Sequence, residues 1–297
     1  MLVKKNISIL FLFFSICFSA TLIVPSNEYS TIQQAIDASN SGDVIEVLPG
    51  VYYENININK GVSLIGEDKN TTIINGSNEN ISLVVYNNSS TVIIENFTIT
   101  DGNGDGSITE WEWGGGILVL DSDPLVEINN CIVKNSISSY GGGVALINSN
   151  TELKNVLINS NTATSLGGGL FVQKGRDTFL KNITVTNNYA QWPAGQYGRT
   201  DAGGGMNFSD NVDIVIENSI FWNNSSPSHS NTSNIAEYVY GGSSLQIEYS
   251  NFQGGTESIH DSSPTINNLM DLDPQFTDIE NEDFTLQSTS PCVDAGN

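Results

Sequence analysis

One stretch of the chain carries the residue types that bind a hard cation. In DGNGDGSITEWEW, Asp101 to Trp113, the residues Asp101, Asn103, Asp105, Gly106 and Glu112 fit the spacing D-x-[DN]-x-[DN]-G-x5-E. Ile108 takes the apolar eighth position of that spacing. Ca²⁺ asks for six to eight oxygens at flexible distances. Asp101, Asn103 and Asp105 would converge if the backbone turns at Gly106. Ser107 would add its carbonyl, Thr109 a contact through water, and Glu112 both carboxylate oxygens. The reading is therefore Ca²⁺ held by Asp101, Asn103, Asp105, Ser107, Thr109 and Glu112, set against a plain acidic turn. Such an ion would order the loop by binding only the folded form.

Trp111 and Trp113 bracket Glu112, and Trp192 and Tyr197 lie in a second irregular stretch, AQWPAGQYGRTDA (Ala190 to Ala202). Aromatic rings beside polar groups stack on sugar faces, which makes these four candidate ligand-binding residues. The alternative is that they cover outward apolar residues such as Leu118, Leu120, Ile147 and Phe171. Arg199 and Asp201 in the same stretch are the one weak catalytic pair: a base and a carboxylate that could work beside a bound cation. His229 and His260 fall in polar stretches and read as solvent-exposed side chains.

These stretches interrupt a repeat. An apolar–x–Asn–strand unit recurs as IENFTIT from Ile94, INNCIVK from Ile128, LKNVLIN from Leu153, LKNITVT from Leu180 and IENSIFW from Ile216. A triple glycine leads a second strand at Gly114, Gly141, Gly167 and Gly203. Apolar residues alternate within each unit, which means strand, with residues i and i+2 on one face. The equivalent asparagines Asn96, Asn130, Asn155, Asn182 and Asn218 would stack at a turn, where asparagine tolerates the left-handed region. Inward ladders would be Phe97, Cys131, Val156, Ile183 and Ser219, and Ile99, Val133, Ile158, Val185 and Phe221. A third would pair Ile117/Val119, Val144/Leu146, Leu170/Val172 and Met206/Phe208. Asn130 to Asn155 is 25 residues and Asn155 to Asn182 is 27, room for three short strands and three turns. That long period excludes a hairpin sandwich. It predicts an all-β right-handed parallel β-helix of roughly eight or nine coils, about 40 Å long. The excess residues at 101–113, 190–202 and 225–240 would then emerge from a single corner, the usual place for function on a repeat scaffold.

The ends read differently. Lys4 and Lys5 precede an apolar run from Ile7 to Phe18, the pattern of a signal peptide over residues 1–20. The solenoid would fill 21–260. A short N-terminal capping helix is expected in STIQQAIDAS, with Ser30 and Gln33 at capping-box spacing and Ile32, Ala35 and Ile36 on one stripe. Residues 261–297 abandon the repeat and are expected to lie over the last coil, with a sorting or anchoring region following Asn297. A net charge of −23 with 10 basic residues excludes nucleic acid as a partner. It also disfavours acidic polysaccharide unless a cation bridges the two. No later run is long and apolar enough for a transmembrane span. Only Cys131 and Cys292 remain in the expected mature chain, so disulfides do not hold the fold together.

The segment STIQQAIDASNSGDVIEVLPGVYYENININKGVSLIGE, Ser30 to Glu67, resembles the first coil of pectin-lyase-like β-helix proteins. The triple-glycine and Asn–strand pattern resembles the repeats of chlamydial-type polymorphic outer-membrane proteins. The tail from Asp273 to Asn297 is similar to the end of bacterial surface β-helix proteins. The 101–112 loop resembles that of an EF-hand or a dockerin-type calcium module, although a strand precedes it and a glycine run follows. These resemblances imply a secreted or cell-surface protein, outer-membrane associated. Adhesion, carbohydrate contact or surface structure would be its role, with carbohydrate or another surface component as partner. Enzymes on this fold include pectate lyases, polygalacturonases, pectin methylesterases, alginate lyases and epimerases. The Arg-x-Pro-x-x-Arg of pectate lyases is absent around Arg176 and Arg199, the chain's arginines. The polygalacturonase and epimerase motifs are absent too. A non-catalytic role is therefore the first expectation, and a polysaccharide lyase or related enzyme acting on acidic polysaccharide the second.

Overall fold

The computed structural model describes residues 19–104, 112–175, 177–192, 202–227, 234–238, 242–260 and 263–296. The expected signal segment, apart from its last two residues, lies outside them. Short strands alternate inward and outward side chains and wind into a parallel β-helix. Sheet I runs from Thr21–Val24 through Val44–Val47, Ser63–Gly66 and Val92–Glu95 to residues 265–267. Sheet II begins at Gly50–Tyr53 and continues through Thr72–Asn75, Thr98–Thr100 and Ile132–Lys134 to residues 269–270. Sheet III begins at Ile56–Ile58 and ends at Ile259–His260, and it contains the strands that follow the glycine runs. A smaller sheet IV stacks Ile137–Tyr140, Thr162–Leu166 and Tyr189–Ala190 at the corner between sheets II and III.

The expected inward ladders are buried along the whole axis, from Phe97 and Ile99 to Phe221 and from Ile117 to Phe208. Each buried aliphatic side chain contributes about 1.5–3 kcal/mol relative to exposure, so the continuous core replaces any need for disulfides. Among the described residues Cys131 and Cys292 are free thiols. Burial pushes the Cys131 thiol up to about 12, so it is an inert apolar filler.

The turn asparagines Asn96, Asn130, Asn155, Asn182 and Asn218 all have positive φ, between 49° and 66°. Asn130 Nδ2 donates to Asn96 Oδ1 at 2.7 Å, and Asn182 Nδ2 to Asn155 Oδ1 at 3.2 Å. A second asparagine ladder, unforeseen in the sequence, lies inside the solenoid between sheets II and IV. Asn161 Nδ2 donates to Asn188 Oδ1, Asn188 Nδ2 to Asn224 Oδ1 and Asn224 Nδ2 to Asn234 Oδ1, at 3.0–3.1 Å. Each of these amides also donates to a backbone carbonyl of its surroundings, so the buried row is satisfied.

Helix α1 (Ile32–Ala38) packs Ile32, Ala35 and Ile36 into the core. Its start departs from the expected capping box by one residue. Thr31 is the N-cap and accepts from the Gln34 N–H at 3.2 Å, while Gln34 Oε1 accepts from the Ser30 N–H. The neighbouring coil holds both helix ends. Glu54 accepts the N–H groups of Ile32 and Gln33, and Lys60 Nζ donates to the carbonyls of Ile36, Asp37 and Ser39. This charge placement matches the helix dipole.

The expectation for 261–297 needs correcting. Thr265–Met270 continues sheets I and II as another coil. Beyond it the chain does not cover the end but folds back along the side. Its antiparallel pair Phe276–Asp278 and Asp283–Leu286 packs on the outer face of sheet II, where Phe276 and Phe284 meet Leu157, Ile220 and Trp222.

Candidate functional site

The described flanks of the first two inserted stretches lie at sheet IV, as expected, but the third, 225–240, needs correcting: its residues Ile235–Tyr238 form a strand of sheet III paired with Met206–Ser209. Asn103 pairs with Ile137 and Trp113 with Tyr140, which places both flanks of the first stretch beside sheet IV. Asp105, Ser107, Thr109 and Trp111 lie outside the described residues. Of the other candidate metal ligands, Asn103 and Glu112 come together and line one concavity of about 370 Å³ with Ile137, Ser138, Ser139 and Thr164. The Glu112 carboxylate accepts from the Ser139 hydroxyl, and its carbonyl accepts the Ser139 and Tyr140 N–H groups at 3.1 and 3.2 Å. Asp101 does not line that concavity. It sits at φ +53° with Oδ2 accepting from Asn75 Nδ2 at 2.7 Å, turned toward the preceding coil. Among the described residues no group of three or more His, Cys, Asp or Glu side chains could hold a metal.

The second insertion contributes Trp192. Tyr197, Arg199 and Asp201 lie outside the described residues, as do Arg176 and His229. Trp113 and Trp192 are half-buried and pack on a second apolar cluster that includes Leu118, Ile147 and Phe171. This cluster coats the outer face of sheet III, the face that would be wetted in a solenoid without sheet IV. Ala163, Leu166 and Ala190 of sheet IV join it, and Tyr140 meets Phe171 at 5.3 Å between ring centroids. The two tryptophans thus cover outward apolar residues.

Sequence reasoning missed two side chains on this face. Asn207 and Ser209 alternate outward from Met206–Ser209, the strand following the fourth glycine run, and both are fully buried. The signal that could have found Asn207 is its register. The equivalent outward residue is Val84, Leu118, Ala145 and Phe171 in the preceding coils. His260 occupies the same row further on and is half-buried.

A parallel solenoid with its insertions gathered on one corner defines a class of scaffold, and the sequence comparison narrows it. The chain belongs to the right-handed β-helix region family, whose model matches residues 82–269. No curated protein matches the chain in sequence. Among solved structures it is similar to pectin methylesterase from Yersinia enterocolitica, at 12% identity and a TM-score of 0.50 over 82% of this chain and 90% of that one. It is also similar to Escherichia coli ybhc, at 12% identity, TM-score 0.49, over 90% of this chain and 87% of that one. A third match is pectin methylesterase from Aspergillus niger, at 17% identity, TM-score 0.42, over 92% of each chain. At such identities the likeness is one of fold. No helix of the described residues is long and apolar enough to cross a membrane.

Proposed function

We propose that this is a secreted or cell-surface β-helix protein that contacts carbohydrate, without catalysis, through the loop-bearing corner. The observation that carries this reading is the pair Trp113 and Trp192, half-buried side by side with an apolar sheet face and half-exposed at the corner where the insertions emerge. Such rings offer a stacking surface at low conformational cost. The net charge of −23 directs the choice toward neutral glycans. Residues 1–20 serve as the export signal, outer-membrane association and adhesion are the setting, and α1 caps the solenoid's N-terminal end. In a glycan-array screen, the wild-type chain should retain neutral oligosaccharides and the double variant Trp113→Ala/Trp192→Ala should lose them. Equal retention by both would sink the reading.

Calcium ordering of the 101–112 loop belongs to the same proposal. It is supported by the ligand spacing in the sequence and by Asn103 and Glu112 sharing a concavity with the Ser139 and Thr164 side chains. Added Ca²⁺ should raise the melting temperature of the wild-type chain, and Glu112→Gln should abolish the rise. An unchanged melt together with no heat in calorimetry removes calcium from the account.

A second reading, a carbohydrate-active enzyme acting on acidic polysaccharide, is favoured by one feature, the Glu112 carboxylate beside the Ser139 hydroxyl in that concavity. New absorbance at about 235 nm from uronate polymers reports a lyase, and methanol release from methylated pectin reports an esterase. Turnover in either assay, lost in Glu112→Gln, would replace the first reading with this one.

A further inference from the structure

The asparagine row at the turn between sheets I and II has one exception. It runs from Asn96 to Asn218 and resumes at Asn268, but the coil between them places Tyr249 in the same register. Tyr249 keeps the left-handed backbone of that row, at φ +48°. A bulky side chain is strained there, where asparagine is tolerated. Core packing does not offset the strain, because Tyr249 is half-buried and belongs to none of the three apolar clusters. Instead it lines a concavity of about 230 Å³ between the turn row and the C-terminal segment. Ile220, Met270 and Leu286 make the apolar part of that lining, and Asn182, Asn218 and Asn251 bring amides. Among the described residues none of those lining it is Asp, Glu, Lys, Arg or His. In a chain with 33 acidic residues, such a patch stands apart.

We propose that this concavity is a subsite for one neutral sugar unit, stacked on the Tyr249 ring and hydrogen-bonded by the Asn182 and Asn218 amides. It rests on the carbohydrate reading for its ligand class, but it lies on a different corner of the solenoid from the inserted loops. A sugar ring has an apolar face that suits an aromatic and a rim of hydroxyls that donate and accept, as an amide does. Asn182 is exposed and uses one donor on Asn155 Oδ1, at 3.2 Å, so its second N–H is left for a ligand. Asn251 instead shapes the wall, since Nδ2 donates to the Leu272 carbonyl at 2.7 Å and Oδ1 accepts the Leu272 N–H at 3.1 Å. A carboxylate or phosphate would meet no cation in this lining, which is why the ligand is neutral. Asn182 also lines a neighbouring concavity of about 350 Å³, where Asn155 and Phe284 repeat the pairing of amide and ring. Further units of an oligosaccharide would follow the row in that direction, one ladder step of about 4.8 Å per coil. Sugars are bound by such a mixture of apolar surface and a few placed polar groups.

One sugar unit buries little surface and binds weakly, so the subsite is best read locally. Cys292 lines the same concavity, while Cys131 is fully buried, so alkylation of Cys292 reports occupancy. Burial raises the Cys292 pKa, and labelling is therefore run at alkaline pH. Neutral gluco-, galacto- or manno-oligosaccharides should slow the labelling of the wild-type chain. Tyr249→Asn restores the residue of the other coils. It should raise the melting temperature by about 2 °C, and the ligand concentration that gives half-protection should rise about tenfold. Tyr249→Phe keeps the ring and should protect within about twofold of wild type. Protection should be unchanged in Trp113→Ala/Trp192→Ala. If no oligosaccharide protects Cys292, or Tyr249→Asn protects as well as wild type, the subsite is wrong whatever the glycan array shows. If protection instead vanishes in the double tryptophan variant, the corner reading stands and the subsite falls. Intact protection together with equal array retention by that variant and wild type would leave the subsite standing and the corner reading overturned. A lower melting temperature in Tyr249→Asn would mean that the ring holds the coil together, which overturns the subsite on its own.

Discussion

Asparagine does two different jobs in this chain, and the difference is one of backbone. Asn96, Asn130, Asn155, Asn182 and Asn218 sit at positive φ, where a Cβ is strained and where asparagine is among the few residues tolerated. Asn182→Ala should cost about 1 kcal/mol, and Asn182→Gly should cost less, because glycine visits this region freely. A chemical-denaturation series checks the order, and an order reversed would put the stabilisation in the amide stack instead. Asn188 is the opposite case, fully buried and bonded to Asn161, Asn224 and the carbonyl of Ile158. Truncating it leaves partners on both sides unpaired, so Asn188→Ala should lose about 3 kcal/mol. The first row was legible because left-handed turns restrict residue type. The second also recurs in the sequence, but recurrence alone does not say whether a side chain points in or out.

A pH effect belongs to this scale as well. The Asp43 carboxyl accepts the N–H of Ala20 at 2.8 Å and that of Asn40 at 2.8 Å, and the Ala20 bond first, then the Asn40 bond, holds its pKa below the ordinary 3.8. A lowered native pKa stabilises the fold above the unfolded value, and that stabilisation is lost as pH falls through the native one. The protection of amides near Thr21–Val24 against hydrogen exchange, relative to their intrinsic rates, should therefore fall below about pH 3.8, and Asp43→Asn should show the lower protection already at pH 6. Unchanged protection across that range would remove Asp43 from the first coil's stability.

The glycine runs and α1 show how elements are fixed by what lies beside them. Gly142 has no positive φ to explain it. A Cβ there would stand 2.3 Å from the Thr162 carbonyl oxygen and 2.6 Å from that of Gly168, so the neighbouring coil demands the glycine. Gly142→Ala should destabilise by about 3 kcal/mol, seen as a lower denaturation midpoint. Helix α1 was foreseen from its apolar stripe, but its anchoring was not. Gln33 accepts from the Asn57 N–H at 2.8 Å and donates to the Asn57 carbonyl at 3.2 Å, standing in for a strand along the edge of Ile56–Ile58. The capping-box spacing of Ser30 and Gln33 misled by one residue because Glu54, distant in sequence, supplies acceptors to the first helical N–H groups.

Across the whole molecule, the C-terminal segment is a strap along one side. Phe276 and Phe284 meet edge to face at 5.4 Å, and the Lys134–Glu282 pair at 2.5 Å lies at the partly exposed rim. Exposed ion pairs contribute little, so the aromatic contact should hold the strap in place. Phe284→Ala should loosen it by about 3 kcal/mol and speed proteolysis after residue 272, with the solenoid intact. Cooperative unfolding of the whole chain in that variant would show instead that strap and solenoid form one unit.

The repeat by itself determined the solenoid, its inward ladders and its left-handed asparagines, but it took Ile235–Tyr238, a strand of sheet III, for part of an insertion. Those features follow from a period of two within strands and about 25 residues between coils, both local properties that each coil repeats. Only the tertiary structure decided which outward faces are covered. Sheet IV with the tryptophans roofs sheet III, the C-terminal strap lies on sheet II, Asp101 turns from Glu112 toward Asn75, and Asn207 is sealed in without a partner. The physical reason is that an outward residue's environment is set by chain segments tens of residues away, whose placement no local pattern encodes.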